Sequence, residues 1–197
     1  AEATKNVSVG IIDAAFYMSH EDVSLESTAQ NQTDNFKSYE HGTHVAGTIA
    51  AKANNKGSVG VAYGASISGA SFYMAPPEAK TSGTEYAYYI QNLYWLHYLV
   101  EEKHARVINA SYGYANAKGF ANAIETGKTY TWKRADGTEV TTTPEGARET
   151  LDMQRSLATT ALRNELQHND FIVCNSAGND TIDARYNSES SIIEDQD

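Results

Sequence analysis

Residues 7–13 read VSVGIID, a short apolar and β-branched run that ends on a carboxylate. This length and composition predict a β-strand, and the nearly continuous apolar character is typical of a strand covered on both faces. A carboxylate after such a strand lies at the sheet edge where open α/β folds place their sites. It could be catalytic, cap a helix or bind a ribose, and the stretch alone leaves these alternatives open.

Three further apolar runs predict strands of the same buried kind, over residues 66–74, 106–110 and 171–175. Helical patterns lie between the strands, over residues 41–53, 84–102 and 145–167. Pro144 suits the first turn of the last helix, and Thr143 can cap it. Strands that alternate with helices indicate βαβ units and therefore an α/β fold with a mostly parallel sheet.

The 197 residues suit one compact domain, which we expect to span residues 1–197. Residues 112–143 are rich in Gly, Thr, Lys and Asn and lack a long apolar pattern. Within them, residues 129–143 predict a hairpin that turns at Asp136–Gly137. We interpret residues 112–143 as a surface insertion and not as a second domain.

The overall charge disfavours two classes of partner. The formal net charge is −10, and the Lys and Arg residues are scattered. Binding of nucleic acid or an anionic membrane needs concentrated positive charge, and no apolar run reaches the roughly 20 residues of a membrane span.

The single cysteine, Cys174, excludes an internal disulfide, and its apolar strand predicts a buried, inert thiol.

Three motifs follow the predicted elements and carry possible chemistry. Residues 41–47 read HGTHVAG, in which two histidines at i, i+3 could bind a metal, although no HExxH pattern supports that reading. Residues 107–113 read VINASYG, a strand that runs into a turn. Residues 175–180 read NSAGND, where an Asn amide could donate to a developing oxyanion or merely stabilise the turn.

Together and in this order, VGIID, HGTHVAG, VINASYG and NSAGN resemble the subtilisin-like serine peptidases, the subtilases, from Val7 to Asn179. The resemblance implies a three-layer subtilisin-like fold with helices on both faces of the sheet. It also implies that Asp13 is the triad aspartate, His41 the general base and Asn179 the oxyanion-hole amide. His44 matches a helix histidine packed under the site.

The resemblance further implies an extended peptide or protein substrate that pairs with two strand-like segments. The residues that would line this cleft are Ser82, Gly83, Ser111, Tyr112, Gly113, Ala177 and Gly178. A structural calcium ion would take oxygen ligands from Asp22 and Asn55, although Lys56 adds an unfavourable charge. A secreted or cell-surface location follows from the family alone.

Two departures from the family pattern leave two functions open. Ala14 and Ala15 replace the usual hydroxyl residue and Gly after the aspartate, and no Gly-Thr-Ser-x-Ala segment is present. We expect the nucleophilic serine beyond residue 197, which makes the chain about two-thirds of a catalytic domain, incomplete at its C-terminal side and inactive alone. The exposed sheet edge would be covered by that missing part or by a homodimer.

The alternative function is a degenerate module that binds peptides or acts as a scaffold without cleaving them. A nucleotide-binding domain is disfavoured, because the chain contains no nucleotide-binding motif.

Overall fold

The computed structural model describes residues 6–25, 27–28, 39–73, 92–113, 116–134 and 137–186. In this part of the chain, five strands form a sheet in the order β2-β3-β1-β4-β7. Its strands are β1 (Ser8–Asp13), β2 (Ser27–Thr28), β3 (Ser66–Ser71), β4 (Val107–Ala110) and β7 (Ile172–Asn175). The four longer ones fall within the predicted runs, so their prediction is confirmed.

β1 is the central strand and pairs in parallel with β3 and β4. Asp13 lies opposite Ser71, and Ile12 lies opposite Ala110. The parallel register brings the carboxyl ends of the three strands to one edge of the sheet. Asp13, the last residue of β1, therefore lies at this edge, as the sequence predicts.

The helices are α1 (Tyr39–Ala50), α2, described over residues 92–102, α3 (Ala117–Thr126) and α4 (Pro144–Thr159). The last part of α2 is a π-helix over Tyr98–Glu102, and α4 continues as one over Thr160–Glu165. The Thr143 hydroxyl accepts a hydrogen bond from the Gly146 N–H at 3.1 Å, which confirms the predicted cap. None of the helices in the described ranges is long and apolar enough to cross a bilayer.

Helices cover the two faces of β1. On one face, Val9 and Ile11 share a buried cluster with Ala46 and Ala50 of α1. On the other face, a Cβ atom added to Gly10 would lie 3.0 Å from Leu99 Cδ1 of α2. The alternation of side chains along a strand places these contacts on opposite sides. The result is a helix, sheet and helix layering, which confirms the predicted α/β class.

β7 departs from the prediction of a strand buried on both faces. Ile172 is 60% exposed and Val173 is 39% exposed. The predicted buried thiol is also wrong, because Cys174 is exposed. In the described sheet, β7 has only β4 as a neighbour and stands at the end of the strand order. Its apolar sequence matches that of a central strand, but burial depends on what packs against the strand.

The chain divides into two compact units. The first contains Ala1–Ser111 and Leu166–Cys174, and the second contains Tyr112–Glu165 and Asn175–Asp197. The second unit contains α3, α4 and a two-stranded antiparallel hairpin of β5 (Tyr130–Lys133) and β6 (Glu139–Thr142), which confirms the predicted hairpin. Phe120 of α3 packs with Ala147 and Leu151 of α4 in a small core. The sequence did not predict α3.

Candidate active site

Asp13 and His41 form the central contact of the candidate site. His41 Nδ1 lies 2.9 Å from both carboxylate oxygens of Asp13. The Asp13 carboxylate also accepts a hydrogen bond from the Ala14 N–H at 2.7 Å. The Asp13 side chain is 2% exposed, whereas the His41 side chain is 61% exposed. A buried carboxylate therefore holds one nitrogen of an imidazole that faces solvent.

Gly42 allows the first turn of α1 to approach the turn that follows β1. A Cβ atom at Gly42 would lie 2.2 Å from the Ala15 carbonyl oxygen and 3.1 Å from Asp13 Cβ. Real Cβ atoms do not tolerate the first distance. Any larger residue here would therefore push His41 and Asp13 apart.

Thr43 ties the same two segments together. Its hydroxyl donates to the Tyr39 carbonyl oxygen at 2.7 Å and accepts from the Tyr17 N–H at 2.8 Å. Both roles of the hydroxyl are thus used, one within α1 and one toward the loop after β1. Thr43 therefore links the first turn of α1, which carries His41, to the loop that follows Asp13.

Burial raises the pKa of the Asp13 carboxyl above its ordinary value. The hydrogen bond from His41, the one from the Ala14 N–H and the attraction of the imidazole each lower that pKa in part. Desolvation disfavours the carboxylate, while donors favour it. The pair therefore depends on its hydrogen bonds to keep a buried acid ionised.

His44 does not pack under the site, because its side chain is exposed. It lines an open cavity of about 520 Å³ together with Tyr17, Tyr39 and Asp22. The rings of Tyr17 and Tyr39 stack there, with centroids 5.3 Å apart. The metal reading of the two histidines gains no support, since no group of three His, Cys, Asp or Glu side chains gathers in the described ranges.

The chain is similar to known proteins in sequence. The model of the subtilase family matches residues 4–195. The chain belongs to the subtilase family. Subtilisin E of Bacillus subtilis (strain 168) is 35% identical over 94 residues, 46% of this chain and 23% of that protein. Fervidolysin of Fervidobacterium pennivorans is 32% identical over 140 residues, 62% of this chain and 19% of that protein.

Solved structures include similar chains. The psychrophilic subtilisin-like protease Apa1 from the Antarctic psychrotroph Pseudoalteromonas sp. AS-11 is 26% identical, with a TM-score of 0.42. That comparison covers 64% of this chain and 30% of Apa1. The chain thus spans less than a quarter of the length of the two curated relatives, at 23% and 19%.

The cleft residues of this subtilase lie in several places. Ser111 ends the first unit, where its hydroxyl accepts a hydrogen bond from Asn109 Nδ2 at 2.8 Å. In the second unit, the Ser176 hydroxyl donates to the Tyr112 carbonyl oxygen at 2.9 Å. The structure thus joins the segment that contains Tyr112 to the one that precedes Ala177.

The remaining predicted cleft and oxyanion residues follow those segments. Gly113, Ala177, Gly178 and Asn179 are exposed. Gly178 has a φ of 86°, a left-handed conformation that favours glycine and that turns the chain just before Asn179. Ser82 and Gly83 lie outside the described residues.

Asp22 and Asn55, the predicted calcium ligands, lie in different surroundings. Asp22 is 3% exposed, and its Oδ2 accepts a hydrogen bond from the Ser58 N–H at 3.1 Å. Its Oδ1 is buried and has no hydrogen-bond partner within the described part of the chain. Asn55 is exposed, with a φ of 63°. Lys56 forms an exposed ion pair with Glu21, with Nζ 3.3 Å from Oε2.

The sequence does not predict that Ser71 contacts the site. Ser71 faces the turn after Asp13, and its hydroxyl donates to the Ala14 carbonyl oxygen. Ser71 is completely buried on β3, so its hydroxyl is not available as a nucleophile. The missing signal is the strand register, since nothing local to residue 71 indicates that it lies opposite Asp13.

Proposed function

We propose that this chain supplies the aspartate and the histidine of a serine endopeptidase that hydrolyses peptide bonds. The observation that carries the proposal is the contact of His41 Nδ1 with both oxygens of the buried Asp13 carboxylate. Family membership supplies the reaction class. Because the chain spans only part of its relatives, the activity of the whole protein is part of the proposal.

His41 acts as the general base and then as the general acid. With the proton on Nδ1 donated to Asp13, the lone pair of Nε2 is available to take the proton of a serine hydroxyl. The imidazolium then returns that proton to the leaving amine. Asp13 stays ionised, fixes this tautomer and stabilises the imidazolium while the tetrahedral intermediate exists.

The nucleophile comes from outside residues 1–197 in this proposal. The chain contains no Gly-Thr-Ser-x-Ala segment. Without that serine no acyl-enzyme forms, so residues 1–197 alone hydrolyse nothing. The exposed Ile172 and Val173 of β7 support a further part of the same domain as the partner that covers this strand. A homodimer through the same edge is the competing arrangement.

Asn179 serves as the oxyanion donor, and the flanking segments bind the substrate. An exposed amide after the left-handed Gly178 can donate to the oxygen on which negative charge develops. Residues 111–113 and 82–83 pair with an extended peptide by strand addition, and Ala177 and Gly178 line the primary pocket. By family resemblance, the protein works outside the cell or at its surface.

A structural calcium ion at Asp22 completes the proposal. The buried Asp22 Oδ1 is the kind of hard oxygen donor that calcium prefers, and it has no protein partner within the described residues. Asn55 is the second ligand of the family pattern. The ion would brace the loop over residues 52–60 and takes no part in the reaction.

The alternative is a subtilase-like module that binds peptides or scaffolds without cleaving them. The observation that favours it is the pair Ala14 and Ala15, which removes the hydroxyl usually found after the aspartate. A module of this kind has no need for an imidazole held by a buried carboxylate, and that contact favours the peptidase.

Active-site labelling separates the two functions. The full-length protein is treated with a fluorophosphonate, digested, and the labelled peptide identified by mass spectrometry. We expect a single labelled serine outside residues 1–197. A label on a serine within residues 1–197 would refute the assignment of the nucleophile, and no label at all would favour the binding module.

A further inference from the structure

Ser71 bridges the turn after β1 and the chain after β3. It lies directly opposite Asp13 in the sheet and is completely buried. Its hydroxyl donates to the Ala14 carbonyl oxygen and accepts from the Tyr73 N–H at 3.2 Å. A buried hydroxyl that both donates and accepts is a fixed link rather than a solvated side chain.

The peptide unit between Asp13 and Ala14 is held on both of its polar sides. The Asp13 carbonyl oxygen accepts from the Phe72 N–H at 3.0 Å. The Ala14 N–H donates to Asp13 Oδ1 at 2.7 Å. The next peptide unit carries the Ala14 carbonyl that Ser71 holds. Because peptide units are planar, fixing both of them leaves the backbone of Ala14 little freedom to rotate.

Neither alanine of the turn after Asp13 has a side chain that could hold the turn in place by a hydrogen bond. Ala14 and Ala15 carry only methyl groups, and both are buried, at 8% and 0% exposure. The hydroxyl donor is instead supplied from β3, across the sheet. Its position on the neighbouring strand ties the turn to the sheet of the first unit.

We propose that Ser71 is a positioning residue, whose hydroxyl fixes the Ala14 peptide so that the Ala14 N–H and His41 both donate to the Asp13 carboxylate. This inference rests on the proposed function of Asp13 and His41. Ser71 itself touches neither substrate nor the reacting atoms. Loss of the hydroxyl lets the turn rotate, weakens the hold of Asp13 on Nδ1 and mixes the tautomers of His41.

Three substitutions separate the hydroxyl from the volume of the side chain. Ser71→Ala removes the hydroxyl, Ser71→Cys keeps the volume with a weak donor, and Ser71→Thr keeps the hydroxyl. Ser68→Ala is the matched control, because it removes another buried serine hydroxyl from β3. The readout is the ¹⁵N spectrum of His41 in the full-length protein, which distinguishes the Nδ1–H tautomer from the Nε2–H tautomer.

We expect the Nδ1–H tautomer to dominate in the wild type, Ser71→Thr and Ser68→Ala. In Ser71→Ala and Ser71→Cys we expect a mixture of tautomers. Recovery by Cys but not by Thr would overturn the proposal, since packing alone would then explain the effect. A wild-type tautomer ratio in Ser71→Ala or Ser71→Cys would also overturn it.

A measurement on the wild type makes the test independent of how the variants fold. The Ala14 amide proton should exchange slowly with solvent, although Ala14 lies just beyond the end of β1. Exchange as fast as that of an exposed loop amide would overturn the proposal.

Steady-state kinetics distinguishes failure of this inference from failure of the proposed function. In an active full-length enzyme, Ser71→Cys should lower kcat roughly tenfold with little change in KM, less than the hundredfold that a misplacement of about 1 Å can cause. If no hydrolysis is found but the tautomer shift is, the proposed function fails and the positioning role stands. If hydrolysis is found and kcat is unchanged, the positioning role fails alone.

Discussion

β1 and β7 are strands of one sheet with similar apolar sequences, yet they differ in burial. Ile11 of β1 is 0% exposed, whereas Ile172 of β7 is 60% exposed. β1 has a strand on each side, and β7 has a described neighbour on one side only. The difference shows that an apolar run specifies a strand, while the surrounding elements decide whether that strand is buried.

The same difference in burial is found for the two motifs that follow β1 and β7. Asp13 is buried beside α1 and β3, and its contacts fix His41. Asn179 follows β7 in an exposed turn. The charge-handling pair is therefore assembled within the first unit. The oxyanion amide, in our proposal, acts only when the rest of the domain surrounds it.

Asp13→Asn should have one of the largest effects on activity. An Asn cannot stabilise the imidazolium and favours the wrong tautomer, so kcat of the full-length protein should fall roughly 10⁴-fold. The corresponding measurement is hydrolysis of a peptide substrate with matched protein concentrations. A loss below tenfold would contradict the role of Asp13.

Asp13→Asn should lower activity but improve stability at a pH where the wild-type carboxyl is ionised. Because burial raises the pKa of Asp13, the wild type loses stability as pH rises through that pKa and the carboxyl ionises. Asp13→Asn does not ionise there. Its free energy of unfolding relative to the wild type should therefore improve as pH rises from below the ordinary carboxyl pKa through the raised pKa of Asp13. A difference that does not change with pH would contradict the raised pKa.

The sequence predicted the strands, the hairpin and the Asp13 edge because those features depend on local composition and turn chemistry. It failed for Cys174 and His44, whose burial depends on what packs against them. It missed α3, where Gly119 weakens the helical signal; that glycine lies under the Tyr130 ring, 2.1 Å from Tyr130 Cζ to an added Cβ. It missed Ser71 because strand register is a tertiary property.

Paired substitutions on the two strands test the burial difference directly. Ile11→Thr places a hydroxyl in the core and removes apolar contacts, so it should lower the free energy of unfolding by about 2–4 kcal/mol. For residues 1–197 without the covering part proposed above, Ile172→Thr should change it by less than about 0.5 kcal/mol, since most of that side chain is in water. Denaturant unfolding of both variants provides the measurement. Equal losses would show that β7 is covered in solution by a further element or a second copy.

A pair of glycine substitutions in α1 tests the approach of the helix to β1. Gly42→Ala forces a Cβ against the Ala15 carbonyl and should destabilise the protein by about 1–3 kcal/mol. In Gly47→Ala the nearest atom is Val23 Cγ2, at 3.4 Å, so the added methyl fits. Relative to the wild type, Gly47→Ala should be neutral or stabilising by up to about 1 kcal/mol. A fully stable Gly42→Ala would contradict the close contact.

Calcium removal should have the smallest effect. If calcium binds at Asp22, a chelator should lower the Tm of the wild type by a few degrees, for a loss of roughly 1 kcal/mol. Asp22→Asn should abolish the difference between calcium and chelator. An identical wild-type Tm in both conditions would exclude a calcium ion at this loop.

The central claim is that His41, held by Asp13, carries the proton in peptide hydrolysis. The most direct measurement compares kcat/KM for a peptide substrate in the full-length wild type, His41→Ala and His44→Ala. His44 is the matched control, because it lies one turn along α1 and is also exposed. We predict that His41→Ala loses at least roughly 10⁴-fold and His44→Ala changes only a few-fold. Hydrolysis that survives in His41→Ala, or that is lost equally in both variants, would contradict the claim.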